Sequence, residues 1–322
     1  MERRQPDGIA FLKTNYNLAR SRETRCARSH PMKKMTHSLR CASACALSLC
    51  LTAAIHAEDL NNIEYGRAGT YSLLFDAHIP DGTGPFPVVI LVHGGAWVGG
   101  DRIINVEPLF KPLTDAGFAW FSISYRLVAD VVRNPIAAAL QLGTAEKDVR
   151  RAVAFVKQHA SEYRVNPNKI VLIGESAGGQ LAAMAALRPD PGETVQGVVA
   201  FYTPSDLASL VRTSSMIPDN VRDAVTGTSL DDILMAGLKE FSPINYVSAT
   251  SPPFLLIHGT DDNIVPVAQS ERFCDKFRTA GAGCDLYKVE GGGHGIRAWQ
   301  SSRLTDYKPF MVRWLRQVLA RD

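Results

Sequence analysis

Gly174-Glu175-Ser176-Ala177-Gly178 sets one serine between two glycines at a spacing that suits nucleophilic chemistry. A serine hydroxyl attacks carbonyl carbon only when the backbone lifts it clear of its neighbours and a base takes its proton. The preceding run, Val171-Leu172-Ile173, is short, apolar and β-branched and reads as a buried strand. The following run, Gln180 to Leu187, is mostly Ala, Leu and Met and reads as a buried helix. Strand, sharp turn and helix together make the motif a nucleophile elbow with Ser176 at its tip. Only glycine at 174 and 178 leaves room for strand and helix to come that close.

Such a serine needs oxyanion donors, a base and an orienting acid. His93-Gly94-Gly95-Ala96-Trp97 follows an apolar run, and its adjacent glycines let the chain fold back with N–H groups aimed at one point. The expected donors are the N–H groups of Gly95 and Ala96, with that of Ala177; the alternative is a plain glycine-rich turn. His93 is expected to shape this turn by hydrogen bonding. The acid lies in His258-Gly259-Thr260-Asp261-Asp262, where two neighbouring aspartates compete, because consecutive loop side chains point different ways. Asp262 is favoured and Asp261 is the alternative. Of the eight histidines, only His294, in Gly291-Gly292-Gly293-His294-Gly295, follows the acid in a loop able to reach the serine, so it is the candidate base.

These residues sit at the ends of elements that the hydrophobic pattern predicts. Tyr71–Phe75 begins an antiparallel edge strand that closes at Ile79. Pro87–Val92, Phe118–Tyr125, Val171–Ile173, Val198–Tyr202, Pro253–Ile257 and Leu286–Val289 read as core strands. Thr144 is a plausible N-cap for a helix whose stripe is Val149, Val153, Val156, Ala160 and Tyr163. A last helix runs from about Leu304 to Leu319. Alternating strand and helix imply the α/β class: a mostly parallel central sheet with helices on both faces and sites at the strands' C-terminal ends. The one interruption, about 203–250, contains a helix capped by Ser229 and Asp232 and reads as a small cap insertion.

The chain has 35 Lys+Arg against 32 Asp+Glu. Residues 1–57 hold 10 and 3 of these, which leaves 25 and 29 in residues 58–322. A mildly acidic body without a basic stripe excludes nucleic acid as a partner. Met32–Arg40 reads as a positive n-region and Cys41–Ile55 as an apolar h-region ahead of a small residue, Ala57. Residues 1–57 are therefore expected to be an N-terminal extension and secretory signal peptide. Translation would start at Met32, the mature chain near Glu58, and the catalytic domain would span 58–322 in a secreted or periplasmic protein with no membrane anchor. A disordered arm followed by an anchor is the alternative. Cys274 and Cys284, ten apart, form either a disulfide or two packed thiols. Their spacing does not suit a metal, and the chemistry needs no cofactor or metal.

The chain order Ser176, Asp262, His294 is that of the α/β-hydrolase fold. The sequence resembles the esterase and lipase branch of that fold with a His-Gly-Gly oxyanion motif, and is similar to bacterial carboxylesterases that include feruloyl and acetyl xylan esterases. The matching pieces are His93–Trp97 with Gly100-Asp101, Gly174–Gly179, Ser242-Pro243-Ile244, His258–Pro266 and Gly293–Gly295, within residues 61–320. The resemblance favours Asp262, and it departs at Ala96, where many relatives have a third glycine. The small insertion suggests an open pocket and hence hydrolysis of short acyl or aromatic esters through an acyl-enzyme, and the resemblance alone implies polysaccharide-linked esters among them. Trp97 would sit beside the acyl group, with Ile296 and the cap as pocket walls. An amidase, arylformamidase or peptidase would use the same triad, and a non-catalytic scaffold is the remaining alternative. The sequence sets no oligomeric state.

Overall fold

Phe86–Val92 is apolar throughout, and all five residues from Val88 to Val92 are fully buried. A strand buried on both faces needs cover on both, and the computed structural model shows how the chain provides it. It describes residues 56–128, 135–213, 229–301 and 303–321. The expected signal segment and the Met32 start lie outside the described residues.

The strands are β1 (Glu58–Ala68), β2 (Tyr71–Ile79), β3 (Phe86–Val92), β4 (Ala119–Ile123), β5 (Val165–Glu175), β6 (Gly197–Phe201), β7 (Phe254–Gly259) and β8 (Cys284–Val289). The helices are α1 (Glu107–Asp115), α2 (Pro135–Gln158), α3 (Ala177–Leu187), α4 (Leu207–Thr213), α5 (Ser229–Glu240), α6 (Ala268–Ala280) and α7 (Tyr307–Leu319). The described strands form one sheet in the order β1-β2-β4-β3-β5-β6-β7-β8. β1 and β2 pair antiparallel, as do β2 and β4, and every later pairing is parallel.

Side chains alternate across this sheet. Val88, Ile90, Val92 and Leu172 face α2, α3 and α6, packing with Val149, Val153, Leu181 and Phe273. Val89, Leu91, Val171 and Ile173 face α1 and α7, packing with Leu109, Leu113, Met311 and Leu315. The strand C-termini thus lie between two layers of helices.

Two local expectations change. The edge strand is β1, not the Tyr71 strand, because β1 pairs along the whole of β2. Thr144 does not cap a helix: α2 begins at Pro135, and the Thr144 hydroxyl donates to the Gln141 carbonyl at 2.7 Å within it. Within the 203–250 insertion, α4 and α5 are described; residues 214–228 and the Ser229 side chain lie outside the described residues.

Candidate active site

β5 ends at Glu175 and α3 begins at Ala177, so the whole turn is Ser176, with φ 53° and ψ −119°. A non-glycine residue holds this conformation only where its surroundings fix it. Here the Ser176 N–H donates to the Phe201 carbonyl at 2.9 Å. β3 and β5 pair with Val92 opposite Gly174, which brings the oxyanion strand against the elbow. A Cβ at Gly178 would lie 2.2 Å from the Val92 carbonyl oxygen, and one at Gly174 would lie 2.3 Å from that of Gly178.

His294 arrives from the loop after β8. Its Nε2 lies 2.9 Å from Ser176 Oγ, and its Nδ1 lies 2.7 Å from Asp262 Oδ2. Asp262 Oδ1 accepts the N–H groups of Ile264 and Val265, each at 2.9 Å, and His258 Nε2 lies 3.5 Å from Oδ2. Burial opposes the charge on Asp262. The hydrogen bonds from His258, His294 and the Val265 N–H, with the charge of His294, outweigh it and hold the carboxyl well below the usual carboxylate range. Asp261 turns outward: its side chain meets Thr260 Oγ1 at 3.3 Å, and its N–H donates to the Gly292 carbonyl at 2.9 Å. Of the two neighbours, Asp262 is the one beside His294.

The loop after β3 bends through three left-handed residues, with φ of 120° at Gly95, 52° at Ala96 and 63° at Trp97. The Gly95 carbonyl accepts the N–H groups of Val98 and Gly99 at 3.1 and 3.0 Å. No hydrogen bond among the described residues uses the N–H of Gly95 or Ala96. Ala177 opens α3, where helix N–H groups lack acceptors and the dipole favours negative charge. His93 Nδ1 meets the Gly94 carbonyl at 2.7 Å and its ring stacks on Tyr125 at 4.4 Å, so it shapes the turn.

The remaining sequence candidates are Trp97 and Ile296. Trp97 is half-buried, and its Nε1 donates to Gln180 Oε1 at 3.0 Å, tying the oxyanion loop to α3. Ile296 is 1% exposed and packed against the α1 and α7 side of the sheet, so it forms no open pocket wall. Its N–H instead donates to the Tyr202 hydroxyl at 2.9 Å.

Sequence reasoning passed over Glu175, Tyr202, Asn105 and His258. Glu175 is buried, and Oε1 accepts the Gly94 N–H at 2.7 Å and Asn105 Nδ2 at 3.1 Å, while Oε2 accepts the Tyr202 hydroxyl at 2.8 Å. The available signal was a carboxylate ending an apolar strand, since a buried charge demands partners. His258 is buried on β7, with Nδ1 2.7 Å from Ser270 Oγ and Nε2 2.8 Å from the Val265 carbonyl, fixed behind Asp262. The arrangement supplies an activated hydroxyl, a base fixed by an acid, and unpaired N–H donors. Among the described residues no cluster of His, Cys, Asp and Glu has the geometry to hold a metal.

The sequence profile of BD-FAE matches residues 75–277. The probable carboxylic ester hydrolase LipM of Mycobacterium tuberculosis is 34% identical over 235 residues, which are 69% of this chain and 52% of that protein. Esterase LipQ of the same organism is 32% identical over 253 residues, covering 74% and 57%. The chain spans little more than half the length of these curated relatives. Among solved structures, the butyrate-bound esterase Est2 of Thermogutta terrifontis is similar with a TM-score of 0.65 at 24% identity, covering 81% of this chain and 94% of that one. An acetyl ester-xyloside bifunctional hydrolase from Caldicellulosiruptor lactoaceticus gives 0.63 at 21%, covering 83% and 98%. These likenesses, with the sheet order, show the α/β-hydrolase fold.

Proposed function

The chain belongs to the BD-FAE family, and from that premise we propose that it is a serine carboxylic ester hydrolase working through an acyl-enzyme. The observation that carries this reading is the continuous contact from Ser176 Oγ to His294 at 2.9 Å and from His294 to Asp262 at 2.7 Å, on a strained elbow.

In this reading Ser176 Oγ attacks the ester carbonyl carbon while His294 Nε2 takes its proton. Asp262, charged throughout, holds the imidazolium. The N–H groups of Gly95, Ala96 and Ala177 receive the oxyanion, and one such donor is worth about 3 kcal/mol. His294 then protonates the departing alkoxide, and the alcohol leaves. Water, deprotonated by the same imidazole, attacks the acyl-enzyme, releases the carboxylic acid and restores Ser176.

The substrates proposed are esters of short acyl or aromatic acids, including acetyl or feruloyl groups on polysaccharides. The esterase names of the relatives support the ester class. The acetyl ester-xyloside hydrolase among the structural neighbours supports the carbohydrate-linked variant by analogy of fold. Secretion or periplasmic residence is proposed from the n-region and h-region of residues 32–57. The disulfide between Cys274 and Cys284 supports it, since such bonds persist in oxidising compartments.

Hydrolysis of p-nitrophenyl esters from acetyl to palmitoyl, with Ser176→Ala as control, tests the reading on the full chain. Turnover is expected to peak at short chains and to fall at least about 10⁴-fold in the variant. A folded protein inert toward every ester but cleaving amides or formamides would replace it with the amidase reading.

A further inference from the structure

Tyr202 stands immediately after β6, fully buried, with its backbone at φ 36° and its N–H donating to the Ile257 carbonyl at 2.8 Å. Its ring lies with its centroid 4.5 Å from that of His294. Its hydroxyl donates to Glu175 Oε2 at 2.8 Å and accepts the Ile296 N–H at 2.9 Å. One side chain therefore touches the base, the loop carrying the base, and the residue before the nucleophile.

The loop has reason to need it. Gly291, Gly292, Gly293 and Gly295 surround His294, so the backbone there is intrinsically free. Its first glycines are tied down by the Thr260 hydroxyl accepting the Gly291 N–H and by the Asp261 N–H donating to the Gly292 carbonyl, both at 2.9 Å. Around His294, Trp299 Nε1 donates to the Gly293 carbonyl at 2.9 Å and the Tyr202 hydroxyl takes the Ile296 N–H. Glu175 sets the phenol's direction. Its carboxylate takes the Tyr202 hydroxyl on one oxygen and the Gly94 N–H of the oxyanion turn, with Asn105, on the other. Among the described residues no Lys or Arg pairs with Glu175. Burial and the Glu175 carboxylate push the Tyr202 phenol well above its ordinary range, so it remains a donor across working pH.

We propose that Tyr202, oriented by Glu175, is a positioning residue that holds His294 in line between Ser176 and Asp262 and couples that line to the oxyanion turn. The inference rests on the esterase reading above. Its chemical content is geometric. Proton transfer from Ser176 requires the imidazole edge at hydrogen-bond distance throughout the step, and a base loop released from the elbow spends less of its time there. The Tyr202 ring, tilted 58° to the imidazole with centroids 4.5 Å apart, also limits how far that imidazole can swing.

Tyr202→Phe removes the hydroxyl and keeps the ring; Glu175→Gln keeps the shape and removes the charge. The measurement is kcat and KM for p-nitrophenyl acetate on the full chain, normalised to the amount of Ser176 labelled by a fluorophosphonate. Both variants are expected to lose about tenfold in kcat, with KM within about twofold, the size of one lost oriented hydrogen bond. The double variant should lose no more than about the larger single loss, because both changes break one chain of contacts. A merely structural role would lower the labelled fraction and leave kcat per labelled site untouched, and that result overturns the proposal. If Tyr202→Phe yields no folded protein, Glu175→Gln, which leaves the phenol in place, decides alone by the same criterion. Wild-type protein that neither hydrolyses esters nor labels at Ser176 defeats the esterase reading itself. Activity lost in Ser176→Ala but full in both test variants defeats this inference only.

Discussion

Asp261 and Asp262 share a loop and differ in everything that matters to a carboxylate. Asp261 is exposed, while Asp262 is 7% exposed and surrounded by two backbone N–H groups and two imidazoles. Asp262→Asn should therefore lower kcat about 10⁴-fold, the loss expected when an imidazole is no longer held in the right tautomer. Asp261→Asn should stay within about twofold, and steady-state kinetics on the two variants separates them. The same contacts make a statement about pH. The folded state holds the Asp262 carboxyl below its ordinary value, so its contribution to stability is complete above that value, near pH 4, and is lost as pH falls toward the lowered one. The melting-temperature gap between wild type and Asp262→Asn should be constant from pH 7 to about pH 5 and narrow below pH 4. A gap that widens with acid would mean that the aspartate is protonated more readily in the native state. Ser176, Asp262 and His294 were legible from spacing and chain order. Glu175 and Tyr202 were not, because the motif treats position 175 as free, and Tyr202 meets Ile296 across 94 residues.

At the scale of elements, the elbow depends on backbone approaching backbone. A methyl group at Gly178 would lie 2.2 Å from the Val92 carbonyl oxygen, at the end of the sheet's central pairing, and 2.3 Å from that of His93, which accepts the Tyr125 hydroxyl at 3.0 Å. Neither is the end of a flexible side chain, so the strain cannot be relieved locally. Gly178→Ala is expected to cost about 3 kcal/mol or more, or to prevent folding. Gly281 is the contrast: it ends α6 at φ 77°, an added methyl would have nothing within 4 Å, and the change meets only the conformational penalty. Gly281→Ala should cost about 1 kcal/mol, and chemical denaturation of both variants gives the comparison. Core strands and their order along the chain were legible because burial on both faces writes a continuous apolar run. β1 was not read as a strand: it exposes much of its length as an edge, with burial concentrated at Tyr65. Thr144 misled because a Gly-Thr pair has the local chemistry of a cap, while the packing of Ala145, Val149, Ala152 and Val153 against the sheet sits on a helix that continues through it.

For the described molecule as a whole, one covalent bond lies outside the logic of the sheet. Cys274 on α6 and Cys284 at the start of β8 are joined, with Cα atoms 5.4 Å apart. The bond fastens the last strand of the sheet, paired on one side to β7, onto the helix that precedes it. It joins none of the loops that carry Ser176, Asp262, His294 or Gly95. A domain with two extensive apolar layers does not need a disulfide to fold, unlike small secreted domains whose cores are too thin. Closing a loop with a sequence separation of 10 should restrict the unfolded chain by about 3 kcal/mol. Reduction, or replacement of both cysteines by alanine, is therefore expected to lower unfolding stability by about that amount while leaving kcat/KM per labelled serine unchanged below the new transition. Urea denaturation with and without reductant, paired with ester turnover on the same samples, measures both quantities. Equal stability would show that the reduced chain already keeps α6 against β8 when unfolded. Loss of turnover in a still-folded reduced protein would tie the sheet edge to the catalytic loops, against the independence of the two that the contacts describe.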